Sequence, residues 1–175
     1  MITRRNFLKA GAAVAALSVV PNGFASILAK KEKAIGVQLY SVRDDLKTDF
    51  DGTMKTLVDI GYKRMEAAGY RDGKFYGKSP AEMKKYLADL GARMVGSHTG
   101  SGLLAEGDTK GWDFWKKNAA DTAEVGCKWI VQAGYPSKDI KSLSDVKRLA
   151  DQFNKCGEIA KANGLRLSLI HISEP

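Results

Sequence analysis

The chain is 175 residues long, 44% hydrophobic, and carries 28 Lys and Arg against 20 Asp and Glu, a formal net charge of +8. That is enough apolar chain for one domain with a real core. The cations are mixed with anions along helix-like segments, as on a solvated helix surface. No clustered basic stripe with interleaved aromatics is visible, which argues against nucleic acid as a partner.

The front end stands apart from that domain. "MITRRNFLKAGAAVAALSVVPNGFAS" starts basic (Arg4, Arg5, Lys9) and continues through an uncharged apolar run from Ala10 to Val20. Gly23 and Ala25 then offer the small residues of a signal-peptidase site. The run has no polar face, which disfavours an amphipathic helix of the mature fold, and it is too short to span a bilayer. The Arg pair followed by x-Phe-Leu-Lys has the form of a twin-arginine export motif. Residues 1–25 are therefore expected to be a twin-arginine signal peptide directing the protein to the periplasm, with no membrane contact beyond export. Part of the positive balance belongs to this segment, which holds three cations and no anion. Export would place Cys127 and Cys156 in an oxidising compartment. A disulfide between them is geometrically possible, but two buried free thiols suit their settings better.

The mature segment repeats itself. Four times a helical stretch ends in Gly, a spacer with Lys or Arg follows, and an apolar strand-like run begins: "DIGYKRMEAAG", "DLGARMVGSHTG", "EVGCKWIVQAG" and "ANGLRLSLI". Gly61, Gly91, Gly126 and Gly164 suit the left-handed residue just past a helix end, where a Cβ is penalised. Their separations of roughly 30 to 40 residues suit one strand and one helix each. In chain order the pattern predicts strands at Ile35–Val42, Arg64–Ala68, Arg93–His98, Lys128–Ala133 and from Leu165, with a helix after each of the first four. "SPAE" supplies Ser79 as N-cap, Pro80 at the first helical position and Glu82 as the reciprocal partner. The last helix begins near Ser142 and is expected to pack through Leu143, Val146, Leu149, Ala150, Phe153, Gly157 and Ala160. Gly157 would there allow a close backbone approach to the strands.

Alternating β and α units imply a parallel sheet with crossover helices. "QLYSVRDDLK", after the first strand, has no glycine where an open dinucleotide-binding sheet requires three. The expected fold class is thus α/β: the N-terminal half of a (β/α)8 TIM barrel, strands 1 to 5 over residues 33–166, preceded by the signal peptide.

Side-chain alternation then sorts the strand faces. Val37 and Leu39 oppose Gln38 and Tyr40; Met65 and Ala67 oppose Arg64 and Glu66. Val95 and Ser97 oppose Met94, Gly96 and His98; Trp129 and Val131 oppose Ile130 and Gln132. With the apolar set against the helices, Gln38, Glu66, His98 and Gln132 would project into the barrel. Buried polar groups are costly unless paired, and four together near strand ends suggest a polar pocket at the C-terminal mouth. Each also has a structural reading: Glu66 as an interior ion pair with Arg64 or another barrel cation, His98 as a hydrogen-bonded core residue, the glutamines as partners of nearby backbone. Trp112 and Trp115 read as helix anchors or pocket walls. No Ser-His-Asp order, CxxC pair, HExxH or P-loop occurs.

"IGVQLYSVRDDLKTDFDGTMKTLVDIGYKRMEAAGY" resembles the opening of the sugar phosphate isomerase/epimerase group, the xylose isomerase-like barrels, and within it exported members with a twin-arginine signal. The similarity runs from about Lys33 to Arg166, with "GVQLYSVRD" and "IGYKRMEAAGY" most specific. It implies an eight-unit barrel that binds a divalent metal (Mn, Mg, Zn or Co) on its later strands and shuttles a proton at a sugar carbon beside a carbonyl. His98 is similar to a substrate-contacting histidine at the end of the third strand. The metal ligands have no counterpart in this chain, so no metal-binding or catalytic residue is assigned. Gln38, Glu66, His98 and Gln132 are the expected substrate-binding set, the partner is a small carbohydrate, and oligomeric state is not readable. A lyase or hydrolase acting on keto-glycosides and a non-catalytic sugar-binding barrel are the alternatives.

The tail "LSLIHISEP", Leu167–Pro175, resembles the translation of a transposase-based sequencing adapter. Residues 167–175 are therefore expected to be non-native, with His171 given no role, although the apolar run also has the form of a strand. On this reading the chain is an inactive fragment whose open sheet edges invite aggregation.

Overall fold

The computed structural model describes residues 35–100, 102–134 and 137–170, which lie within a unit spanning Ala34–Pro175. The expected signal peptide and His171 fall outside the described residues.

The elements follow the repeat. Strand β1 (Gly36–Gln38) runs into a 3-10 turn (Leu39–Val42), α1 (Arg43–Thr48) and α2 (Phe50–Ile60). Then come β2 (Arg64–Ala67), a two-stranded hairpin of β3 (Tyr70–Arg71) and β4 (Lys74–Phe75), and α3 (Pro80–Asp89). They are followed by β5 (Arg93–Thr99), α4 (Thr109–Glu124), β6 (Trp129–Gln132), a short 3-10 turn (Ser137–Asp139), α5 (Leu143–Ala162) and β7 (Arg166–Leu169). The main sheet has the order β1-β2-β5-β6-β7, and every pairing in it is parallel. Each strand lies beside the next main strand in sequence, as in a barrel wall rather than a doubly wound sheet.

Local chemistry accounts for the helix ends. Gly61, Gly91, Gly126 and Gly164 all have φ between 71° and 117°, the left-handed region in which each helix stops and its strand begins. Ser79 and Glu82 form the reciprocal capping box at α3, with Pro80 in the first turn. Ser142 caps α5 by accepting from the Asp145 amide. The core lies between the sheet and its helices, built on Leu39, Met54, Met65, Phe75, Met83, Met94, Trp115 and Ile130, all at most 1% exposed.

Three expectations need correction. The first strand is shorter than Ile35–Val42, because the chain leaves the sheet at Leu39 to form the 3-10 turn. The packing face of α5 is rotated: Gln152, Cys156 and Ala160 are buried, whereas Leu143 and Val146 are exposed. At 100° per residue, Leu143 lies on the opposite side of the helix from Cys156. Gly157 does not mediate a close approach, since a Cβ built there would meet nothing within 4 Å.

The hairpin was not anticipated. Its turn is Asp72-Gly73, both with positive φ (52° and 77°), as a tight two-residue hairpin demands. Tyr70 fastens it to α4 by donating its hydroxyl to Asp121 Oδ2 at 2.6 Å, and Lys117 holds the same carboxylate at 2.9 Å.

Candidate functional site

Ladder partners share a sheet face, so register decides what meets what. Gln38 pairs with Glu66; Glu66 pairs with Gly96; Gly96 pairs with Trp129; Trp129 pairs with Arg166. These five residues form one row across the face away from the helices. Above it stand His98, Val131 and Ser168, in register with one another.

Three of the four expected site residues converge there. His98 Nε2 lies 2.7 Å from Glu66 Oε1, with the imidazole side chain 14% and the carboxylate side chain 30% exposed. Gln38 Nε2 stands 2.8 Å from the same ring nitrogen and 3.4 Å from Nδ1. One ring nitrogen cannot donate to Glu66 and accept from Gln38 at once. The contacts are reconciled when Nε2–H donates to Glu66 and Gln38 turns its amide over to present oxygen as a second, shared acceptor of that hydrogen. His98 then keeps Nδ1 as an acceptor. Glu66 pairs with the histidine and not with Arg64, whose side is exposed at the other end of the strand.

Gln132 is not brought to this cluster. Its ladder partner is Thr99, which accepts a hydrogen bond from Asn118 of α4, so Gln132 and Ile130 lie on the helix side. It donates to the Gly134 carbonyl at 2.7 Å, and its Oε1 is buried without a partner. The faces of β6 are therefore the reverse of the expectation: Trp129, 41% exposed, is on the cavity side with Arg166 5.4 Å from its ring centroid. That expectation rested on the apolar character of Trp129 and Val131, whereas the ladder sets them beside Gly96 and His98 on the inner face. On β5 alternation put Met94 with Gly96 and His98, but Met94 is 1% exposed in the core. Register shifts between Met65 and Glu66, which pair with Met94 and Gly96 and leave Val95 as a bulge, so Met94 falls on the opposite face from the residues after it.

Beside the ends of β1 and β2 a cleft of about 380 Å³ is lined by Leu39, Tyr40, Arg43, Ala68 and Tyr76 among others. Tyr76 closes it from the hairpin loop, its hydroxyl accepting from the Ala68 amide at 2.9 Å. Trp115 is fully buried and anchors α4, whereas Trp112, with Lys155 4.0 Å over its ring, walls a cleft beside α5. No group of three His, Cys, Asp or Glu suited to a metal occurs among the described residues. Glu66 and His98 offer two donors already bonded to each other, so the residues present do not fit a divalent metal. Cys127 and Cys156 are buried and free. Burial pushes both thiols up to about 12, with the Glu66 charge adding to the effect at Cys127. Among the described residues, no helix is long and apolar enough to cross a membrane.

A parallel strand-and-helix wall with polar side chains gathered on its inner face defines the partial TIM barrel class. Two solved sugar phosphate isomerase/epimerases from Parabacteroides distasonis ATCC 8503 share this architecture. One has a TM-score of 0.66 and 30% identity over 85% of this chain and 58% of that chain. The other has a TM-score of 0.65 and 27% identity over 78% of this chain and 54% of that one. A D-psicose 3-epimerase crystallised in the presence of D-fructose has a TM-score of 0.53 and 18% identity, covering 68% of this chain and 45% of that chain. This chain is thus a structural relative of the sugar phosphate isomerase/epimerases, the xylose isomerase-like barrels, and spans a little over half the length of the first two. Residues 1–21 match the twin-arginine translocation pathway signal sequence, which marks the protein for export by that route. No curated protein sequence matches the chain.

Proposed function

We propose that the intact protein is a periplasmic sugar isomerase or epimerase, moving a proton at a carbon next to a carbonyl, and that Gln38, Glu66 and His98 hold the sugar. The convergence of these three side chains on one imidazole nitrogen, at 2.7 and 2.8 Å, carries the reading. An acceptor nitrogen, a carboxylate and a carboxamide make a suitable set for sugar hydroxyls, and the exposed Trp129 ring gives the apolar face of a sugar ring something to lie against. Export favours a free or oxidised sugar over a phosphorylated one. Gln132, on the helix side with its amide bonded to the Gly134 carbonyl, is left out of this set.

The metal expected from the resemblance is not placed on these residues, and no step is routed through one. In this reading the signal ends at Ala25, the barrel segment covers residues 33–166, and the tail 167–175 is non-native. The 175-residue chain alone does not turn over substrate. The test is to incubate full-length protein and divalent metal with a panel of keto- and aldo-sugars. Mass-neutral interconversion supports the proposal. Release of an aglycone from a keto-glycoside instead assigns a lyase or hydrolase, and tight sugar binding without turnover a binding barrel.

A further inference from the structure

We propose that Gly96 is a positioning residue: the side chain it lacks leaves the space in which Glu66 stands to hold His98 in its Nε2–H form. The inference concerns the cluster assigned above to sugar binding, and rests on that reading for its functional meaning.

Gly96 is the ladder partner of Glu66 and shares its face. A Cβ at position 96 would lie 3.3 Å from Glu66 Oε2 and 3.4 Å from its Cγ. On the other flank the same Cβ would lie 3.6 Å from Trp129 Cβ, so a larger side chain would meet β6 as well as the carboxylate. The backbone of Gly96 is not among the positive-φ glycines, so conformational freedom does not account for a glycine here. What a glycine supplies is room. The carboxylate leans over β5 into that room and meets Nε2 of His98, two residues further along the same strand, at 2.7 Å. A methyl group at 96 would press on Glu66 by a few tenths of an ångström, and a branched side chain would displace it.

The experiment reads the imidazole and not the activity. In full-length protein without sugar, nitrogen-15 NMR reports which ring nitrogen of His98 carries the proton, and His98→Asn assigns the signals. The expected wild-type spectrum is a single Nε2–H tautomer. Gly96→Ala weakens that preference and Gly96→Val abolishes it, as Glu66→Leu, which has no acceptor, does alone. Gly96→Val combined with Glu66→Leu adds nothing further, because both act through one contact. Circular dichroism and melting of the Ala variant show that the fold persists. Retention of the wild-type tautomer in both Gly96 variants overturns the proposal, and so does its retention in Glu66→Leu. Sugar titration of wild-type protein is separate: an intact protein that ignores every sugar, yet loses the tautomer in Gly96→Val, removes the binding role and leaves the positioning role standing.

Discussion

Tyr70 and Asp121, on separate elements and 51 positions apart, are joined by a 2.6 Å hydrogen bond that ties the hairpin to α4. Asp121 is nearly buried and also held by Lys117. Tyr70→Phe removes one partner from that carboxylate and is expected to cost about 1 to 3 kcal/mol, read as a lower urea midpoint with unchanged slope. Burial, and then the Asp121 carboxylate, raise the Tyr70 phenol well above its ordinary range. An unfolded tyrosine ionises near pH 10. The stability due to this shift is therefore complete below about pH 10 and declines as pH rises beyond it. Tyr70→Phe should flatten that alkaline decline, with Tyr76 and Tyr86, also raised by burial, keeping part of it.

Gly69 faces the Tyr76 ring so closely that a Cβ would lie 2.4 Å from its Cε1. Gly69→Ala must therefore move the ring and strain the hydroxyl contact to Ala68. A loss of roughly 1 to 3 kcal/mol is expected, the usual cost of overpacking. Thermal melting measures it, and an unchanged melting temperature contradicts the packing described.

Cys127 and Cys156 should be inert in the folded protein. Both are buried with thiols pushed up to about 12, and only the thiolate reacts. At pH 8 neither should be alkylated by iodoacetamide until denaturant is added. Mass spectrometry after mild oxidation should show two thiols and no bridge.

Glu66→Gln and His98→Asn should each lower kcat/KM of the full-length protein by roughly ten- to a hundredfold, the range for losing a hydrogen bond to a charged group. The double variant should fall no further than the worse single, because the two side chains work through one contact. Fully additive losses would mean that they act independently.

Among the described residues, the sheet ends at β1 on one side and β7 on the other, each with one neighbouring strand. Open edges recruit other chains. The 175-residue chain should scatter light on concentration and melt over a broad range. A soluble monomer with a sharp, cooperative transition would contradict this expectation.

Much of this wall was legible because helix ends announce themselves: four glycines, a Ser-Pro-x-Glu start and a capping serine set most boundaries before any tertiary contact forms. On β1 and β2 alternation also placed Gln38 and Glu66 correctly, since no irregularity interrupts their mutual ladder. On β5 it placed Gly96 and His98 on the inner face and missed Met94, and on β6 it was reversed. Val95 is surplus only relative to its neighbour β2, and nothing in "RMVGSHTG" alone marks it. Trp129 misled because its apolar character suggested the helix layer, whereas its partner across the ladder is a glycine that leaves room for it. The Asp-Gly turn of the hairpin was readable in "YRDGKF" but hidden by strands of only two residues each.

The Val95 bulge also says where this strand tolerates a change in length. Without Val95, Met94 would still face Met65 and Gly96 would still face Glu66, now in unbroken alternation. Losing Gly96 or Ser97 would also leave His98 on the inner face, but it would set Val95 opposite Glu66, in the space the carboxylate needs. One slot in the strand can be gained or lost without rewiring the pocket, and its neighbours cannot.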